Sequence, residues 1–156
     1  MDPKQPLVEA LESELLNEED AADYRAAVGA LIYLMICTRP DIAFPISRLS
    51  KFVAKPGTKH AAALKHLFCY LRGTIDIGIS FSAPNSLSNP HPQLIGYSDS
   101  NFATDLDNRR STSGFVFLLN GGPISWKSKQ QSLVTSSTHD AEYVGLVIAS
   151  YEVIWL

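Results

Sequence analysis

Two carboxylates are the residues best suited to chemistry in this sequence. Asp99 lies in an alternating segment, and alternation puts it on one strand face with Ile95 and Tyr97. That face reads as core-directed, where an acid is unfavourable unless an ion pair or a metal compensates it. Glu142 lies in a helical stretch in line with Leu146, Ala149 and Val153, four, seven and eleven residues further on. It is the one charged member of that apolar stripe. An acid at the mouth of a buried strand and an acid on the first turn of a helix packed against it would meet. Oxygen ligands paired in this way bind divalent cations and position water for attack on a phosphodiester. A plainer use fits the same residues: Asp99 ends a strand by capping a turn, and Glu142 favours the positive end of its helix. The residues alone leave both open.

Other polar groups carry weaker signals. Asp105 and Asp107 share a polar stretch with Asn108, Arg109 and Arg110, and a turn or a solvated loop is expected there rather than a metal site. Asp140 reads as a capping acid, with His139 beside it on the surface. Lys127, Lys129, Gln130 and Gln131 follow Trp126 and suit either a nucleic acid backbone or an ordinary strand end. His60 and His66 are six residues apart, fit no ligand pair on one helix face, and are expected at the surface or partly buried.

The net charge of −3 gives no hint of a nucleic acid partner, but it hides a split. Residues 1–23 carry eight acids against Lys4 alone. Residues 39–72 carry Arg39, Arg48, Lys51, Lys55, Lys59, Lys65 and Arg72 against Asp41 alone. A stretch this basic is a candidate phosphate contact surface, and it is equally a solvated helix face. Cys37 and Cys69 are far apart with no metal-type spacing, which suits a reduced intracellular protein. The start of the chain is acidic without an apolar core segment, so no secretory leader is expected. The longest apolar run, residues 26–37, is too short to span a bilayer, and no membrane partner is expected. A hydrophobic fraction of 46% against 19% charged suits a folded chain of one domain or two small ones.

The elements that must position these groups fall into two halves. Residues 7–17 have helical apolar spacing at Leu7, Leu11 and Leu15. Asp20 or Asp23 is the expected cap of a second helix over about 24–36, apolar nearly all round and hence buried. Arg39 and Pro40 interrupt it, and Pro45 must kink the next helix, 41–53, or set its true start. Pro56 and Gly57 end that helix. Thr58 then caps a helix over 59–71 that Gly73 closes. Residues 75–81 alternate like a short strand, and residues 83–93 are rich in Ser, Asn and Pro like a linker. Strands follow at 94–100 and 113–119, then a hairpin turn at Asn120, Gly121 and Gly122 and a partner strand over 123–128. Residues 132–136 extend the pairing or form loop. Ser137 and Asp140 make a capping box for a helix running to the end.

At this point the residues resemble a known family. YRAAVGALIY at 24–33 and TRPDIA at 38–43 look like the segment after the polymerase core in copia-type LTR retrotransposon polyproteins. Pro56, Thr58, His60, Ala63, Lys65, Tyr70, Leu71, Gly73 and Thr74 continue that likeness. GYSDS at 96–100, RSTSG at 110–114, ISWK at 124–127, SST at 136–138, AEY at 141–143 and IWL at 154–156 resemble its ribonuclease H part. The motifs stand in family order over 24–156, and it is the ordered set that is specific. Two departures stand out. His139 and Asp140 separate the serine–threonine run from Ala141, where the family has one residue, and Ala61 stands where tryptophan is common.

The resemblance implies an α/β fold of the RNase H-like mixed-sheet type, here the first three antiparallel strands and the first helix, preceded by a small helical module. It implies four regions: an acidic segment 1–23, a helical connection module 24–82, a linker 83–93 and the opening part of the RNase H-like domain, 94–156. The family role is cleavage of RNA in RNA–DNA hybrids during reverse transcription by two-metal phosphodiester hydrolysis. Asp99 and Glu142 match its first two catalytic, magnesium-binding carboxylates. Its later carboxylates fall beyond residue 156, so this stretch is expected to be inactive alone and to hold magnesium weakly or not at all. Partners would be an RNA–DNA hybrid and the rest of the polyprotein, inside the cell, in a cytoplasmic virus-like particle or the nucleus. A non-catalytic nucleic-acid-binding fragment and a decayed relic are the alternatives. No paired-aspartate turn of a polymerase palm is present.

Overall fold

The computed structural model describes residues 7–82 and 93–156. The chain is mixed α/β and divides into two compact units, residues 1–78 and 79–156. The expected linker, but for residue 93, lies outside the described residues.

The first unit is helical. Residues 7–17 do not form the expected helix. They run extended apart from a 3-10 turn at Glu12–Glu14, and Leu16 N–H donates to Pro56 O at 3.0 Å. Tertiary packing outweighs the local apolar spacing here, because Leu7 buries its side chain in the core without being part of a helix. Helix α1 (Glu18–Cys37) starts earlier than its apolar pattern suggests. Its cap is Asn17, whose side chain accepts from Asp20 N–H at 2.8 Å, so Glu18, Glu19 and Asp20 fill the first turn and meet the positive helix end. Nor is α1 buried all round. Ala21, Tyr24, Val28 and Leu31 form the buried face, while Tyr33 is 73% exposed.

Pro40 opens a 3-10 turn (Pro40–Ile42) and leads into helix α2 (Ala43–Ser50). Pro45 falls in the first turn of α2, where an N–H has no intrahelical acceptor to lose, so it sets the start and forces no kink. Helix α3 (Thr58–Gly73) has Gly57 rather than Thr58 at its N-cap. There His60, at the third helical position, takes the part usually played by a capping-box Glu or Gln: its Nδ1 accepts from Gly57 N–H at 2.9 Å. That fixes the proton on Nε2, which donates to Val8 O at 2.9 Å. His60 is thus a core residue stacked on Phe52, with ring centroids 3.9 Å apart, and not a surface histidine.

The expected strand at 75–81 is absent, and Ile75 and Ile77 are exposed. With no neighbouring strand, alternation has nothing to pair with. Phe81 and Ser82 instead belong to the second unit, where the Phe81 ring fills the space above Gly122 and Ser82 N–H donates to Asn120 O at 3.0 Å.

The second unit is a three-stranded antiparallel sheet, β1 (Leu94–Asn101), β2 (Thr112–Leu119) and β3 (Gly122–Gln130), with β2 in the middle. Asn120 and Gly121, with φ of 49° and 82°, make the tight turn whose twist suits a hairpin. Helix α4 (Thr138–Trp155) crosses one sheet face. Residues 132–136 are loop. Phe115, Phe117, Ser113 and Ser100 point to α4, and Ala141, Gly145 and Ala149 are the buried helix positions.

Candidate functional site

Register decides where Asp99 points. Ser100 faces α4, because a side chain at Gly145 would collide with its hydroxyl. Asp99 is the next residue and is paired with Gly114, so it lies on the opposite face with Ile95 and Tyr97. That face is not core-directed as expected. Asp99 is exposed, as is Tyr97 at 58%.

Helical spacing locates Glu142. Ile148 packs with Phe115 and Phe117, and Glu152 accepts from the Ser125 hydroxyl on β3 at 2.6 Å. Those residues mark the flank of α4 turned toward β3. At 100° per residue, Glu142, Leu146 and Val153 then fall on the other flank, over β1. The stripe is real, but it is exposed rather than buried, with Leu146 58% and Val153 43% exposed. Glu142 stands three residues, less than one helical turn, before the Gly145 contact with Ser100, and Asp99 adjoins Ser100. Glu142 is thus near the contact of α4 with β1, while Asp99, next to Ser100 in sequence, lies on the sheet face turned away from α4, so the two acids are not brought onto one face as the sequence reading expects. Among the described residues, no group of three or more His, Cys, Asp or Glu is placed to hold a metal ion.

A buried polar layer supports this contact. The Ser100 and Ser113 hydroxyls are 2.9 Å apart, and Gln131 Nε2 donates to Ser113 Oγ at 2.7 Å and to Ala141 O at 2.9 Å. Gln131 is 2% exposed, so it is a clamp on the start of α4 and not a backbone contact for nucleic acid. Nothing in the sequence marks it, since a glutamine after a strand reads as surface. The cap of α4 is as expected: Ser137 Oγ accepts from Asp140 N–H at 3.1 Å. The Asp140 carboxylate takes the Ser136 hydroxyl at 2.6 Å, and these serine contacts hold it below the usual carboxylate range.

The loop from β1 to β2 is built around Asp105, fully buried. Its carboxylate accepts from Asp107 N–H at 2.9 Å and from the Gln130 amide at 2.5 Å. The aspartate-turn chemistry of the sequence pointed to this turn; its burial depends on Gln130, which is distant in sequence.

The basic residues of the first unit have divergent fates. Arg39 is 6% exposed and pairs in a fork with Asp41, Nε to Oδ1 at 2.9 Å and Nη2 to Oδ2 at 2.8 Å. It also donates to Thr74 O at 3.0 Å, and Tyr70 donates to Asp41 Oδ2 at 2.9 Å. Arg39 is therefore spent on internal structure and does not belong to a contact surface. Its hydrogen bonds hold the Asp41 carboxyl below the usual range. Lys59 pairs with Glu14 at 3.0 Å, and Lys51 lies over the Phe52 ring, 5.3 Å from its centroid. Arg48 Nη2 reaches Leu7 O at 3.5 Å. Lys55, Lys65 and Arg72 are exposed, as are Lys127 and Lys129 on β3.

The chain is thus a mixed α/β protein with a small helical unit and a three-stranded antiparallel sheet crossed by one helix, Asp99 on the first strand and Glu142 on the helix. Comparison with known proteins defines the family. The chain is 44% identical over 85% of its length to a retrovirus-related Pol polyprotein from transposon TNT 1-94 of Nicotiana tabacum, and 42% identical over 88% to that from transposon RE1 of Arabidopsis thaliana. It is also 44% identical over 85% of its length to secreted RxLR effector protein 161 of Plasmopara viticola, covering 90% of that protein. This chain belongs to the family of transposon-derived, retrovirus-related Pol sequences. It spans about a tenth of the length of the Pol polyproteins it matches, 10% and 9% in the two cases above. No family model and no solved structure matches it.

Proposed function

We propose that residues 94–156 are the opening part of a ribonuclease H domain, the endonuclease that accompanies a reverse transcriptase in cutting RNA from RNA–DNA hybrids. Asp99 and Glu142 would be two of its catalytic carboxylates. The observation that supports this reading is the packing of α4 on β1 at Gly145 and Ser100, with Asp99 next to Ser100 in sequence, though on the other sheet face, and Glu142 three residues before Gly145. Strand order and hairpin topology agree with it.

The donors have the right chemistry for magnesium, hard carboxylate oxygens, but not the number. Two acids leave most of the coordination shell to water. The described residues do not supply a full ligand set for the metal. The remaining ligands would come from polyprotein regions outside this chain, and the chain alone would not cleave. The place of action would be inside the cell, in a cytoplasmic particle or the nucleus.

The test is a hybrid-cleavage assay in magnesium with the 156-residue chain, beside a magnesium titration followed by NMR. No cleavage is expected, with weak shifts centred on Asp99 and Glu142 that Asp99→Asn removes. Magnesium-dependent cleavage abolished by Asp99→Asn would refute the inactivity. Shifts that avoid both acids would refute the site.

One observation favours a second reading. The chain covers 90% of a relative that is not named as a polyprotein, so a segment of this extent also stands as a protein under its own name. On that reading this segment serves as a repurposed fragment that binds nucleic acid through Lys55, Lys65 and Arg72. Binding to a hybrid that weakens steeply with salt is the expected result; salt-independent binding would count against it.

A further inference from the structure

We propose that the loop between β1 and β2, together with strand β3, is a contact for the phosphate backbone of a nucleic acid strand, made by Arg109, Arg110, Lys127 and Lys129. The proposal deepens the ribonuclease H reading by naming where the second unit meets its substrate, and it rests on that reading.

The charges of the second unit are segregated. Residues 79–156 carry six acids against four Lys and Arg, yet all four cations fall within residues 109–129. Four of the acids stand elsewhere, Asp99 on β1 and Asp140, Glu142 and Glu152 on α4. In the first unit Arg25, Arg39 and Lys59 are held by Glu18, Asp41 and Glu14. None of the four cations of the second unit has such an ion pair among the described residues.

The loop is built to fix its arginines. Its buried acid, Asp105, turns inward: the carboxylate accepts from the Asp107 and Asn108 N–H groups at 2.9 and 3.3 Å and from the Gln130 amide at 2.5 Å. Asp107 is then the one exposed acid in residues 102–130, against four cations. Asp105 C=O accepts from Arg109 N–H at 2.8 Å, and Asn108 Oδ1 accepts from Arg110 N–H at 3.0 Å. Arg109 sits at φ 57°, a conformation that an arginine keeps only where its surroundings impose it.

Asn108 and Gln130 pair amide to amide at 3.2 and 3.4 Å, which ties the loop to the end of β3. The arginines therefore continue a row that Lys127 and Lys129 begin. Those lysines are two residues apart on one strand, so they share a face at a separation of about 7 Å. Successive phosphates along one nucleic acid strand are similarly spaced. A row of cations suits a linear polyanion, and the arginine forks suit phosphate oxygens. A lipid surface is a plane and would not select a row. β3 is also the sheet edge away from β1, so a chain that extends the sheet beside β1 leaves the row open.

Fluorescence anisotropy of a labelled RNA–DNA hybrid with the full chain tests this. EDTA keeps magnesium binding and cleavage out of the measurement, so a failure at Asp99 and Glu142 shows only in the magnesium titration and a failure of this contact only here. Binding that weakens steeply with salt is expected. Arg109→Asn keeps a residue that tolerates the left-handed backbone. That variant, Arg110→Gln, Lys127→Gln and Lys129→Gln should each lower the slope of log affinity against log salt by about 1. Lys55→Gln and Lys65→Gln in the first unit should leave the slope unchanged. Circular dichroism checks folding, and the exposed Lys127 and Lys129 keep the test decisive should a loop variant unfold. Vesicles containing phosphatidylserine are the second probe. No hybrid binding at low salt, equal losses from the first-unit lysines, a slope indifferent to all four substitutions, or a preference for the vesicles overturns the proposal.

Discussion

The Ser100 hydroxyl occupies the space that a side chain at Gly145 would need. This contact sets the height of α4 above β1, and with it the distance between the turn carrying Glu142 and the strand carrying Asp99. Ser100 is held there by Ser113, which is held in turn by Gln131. Gly145→Val should therefore lower the stability of the second unit by about 2 kcal/mol, the usual scale of overpacking. Urea denaturation followed by Trp fluorescence reads the effect, and an unchanged midpoint would mean that the helix can lift freely.

Asp41 links acid stability to the Arg39 fork. Its folded pKa is lowered, first by the Arg39 hydrogen bonds, so the folded state favours the ionised form. The stabilisation is complete above the ordinary carboxylate pKa of about 4. It is lost as pH falls from there through the lowered folded value, because the unfolded chain then binds the proton first. Asp41→Asn should be less stable than the native chain near neutral pH, and the gap should close as the solution is acidified. Thermal melts at stepped pH would show this; a constant gap would assign the loss to packing.

Removing Arg39 should act through folding, not through binding. The guanidinium is buried and also carries Thr74, so Arg39→Ala leaves Asp41 with Tyr70 as its remaining side-chain donor and the Thr74 carbonyl without its partner, a loss of about 2 kcal/mol. Lys65→Ala, at an exposed position, should leave the melting temperature nearly unchanged. A filter-binding assay for an RNA–DNA hybrid separates the two kinds of role.

His60→Ala should destabilise the first unit by about 3 kcal/mol, since it strips the Phe52 stack and leaves Gly57 N–H and Val8 C=O without their partner. Hydrogen exchange at Gly57 should speed up more than exchange at Tyr24, because only the former loses its acceptor directly. Equal acceleration at both would point to global loosening.

Ser137→Ala should reduce stability by about 1 kcal/mol through loss of the cap on α4. The last turns of α4 should keep their exchange protection, while amides near Asp140 lose theirs.

Short-range chemistry was legible in the sequence. The Asn120–Gly121 turn, the strands on either side of it, the Ser137 cap and the break at Pro40 all follow from preferences of one to four residues, and the structure has each of them. The ordered motifs likewise pointed to a transposon polyprotein, and the relatives agree. Tertiary structure decided what depends on distant neighbours. Leu7 stays outside a helix because the core takes its side chain, and His60 is interior because Phe52, Gly57 and Val8 surround it. Arg39 is structural because Asp41 and Thr74 meet it there. Asp99 faces away from α4 because register is counted from Ser100, and only the packing of Gly145 reveals which parity is inside. Periodicity gives two faces; which one is covered depends on the element that arrives from elsewhere in the chain.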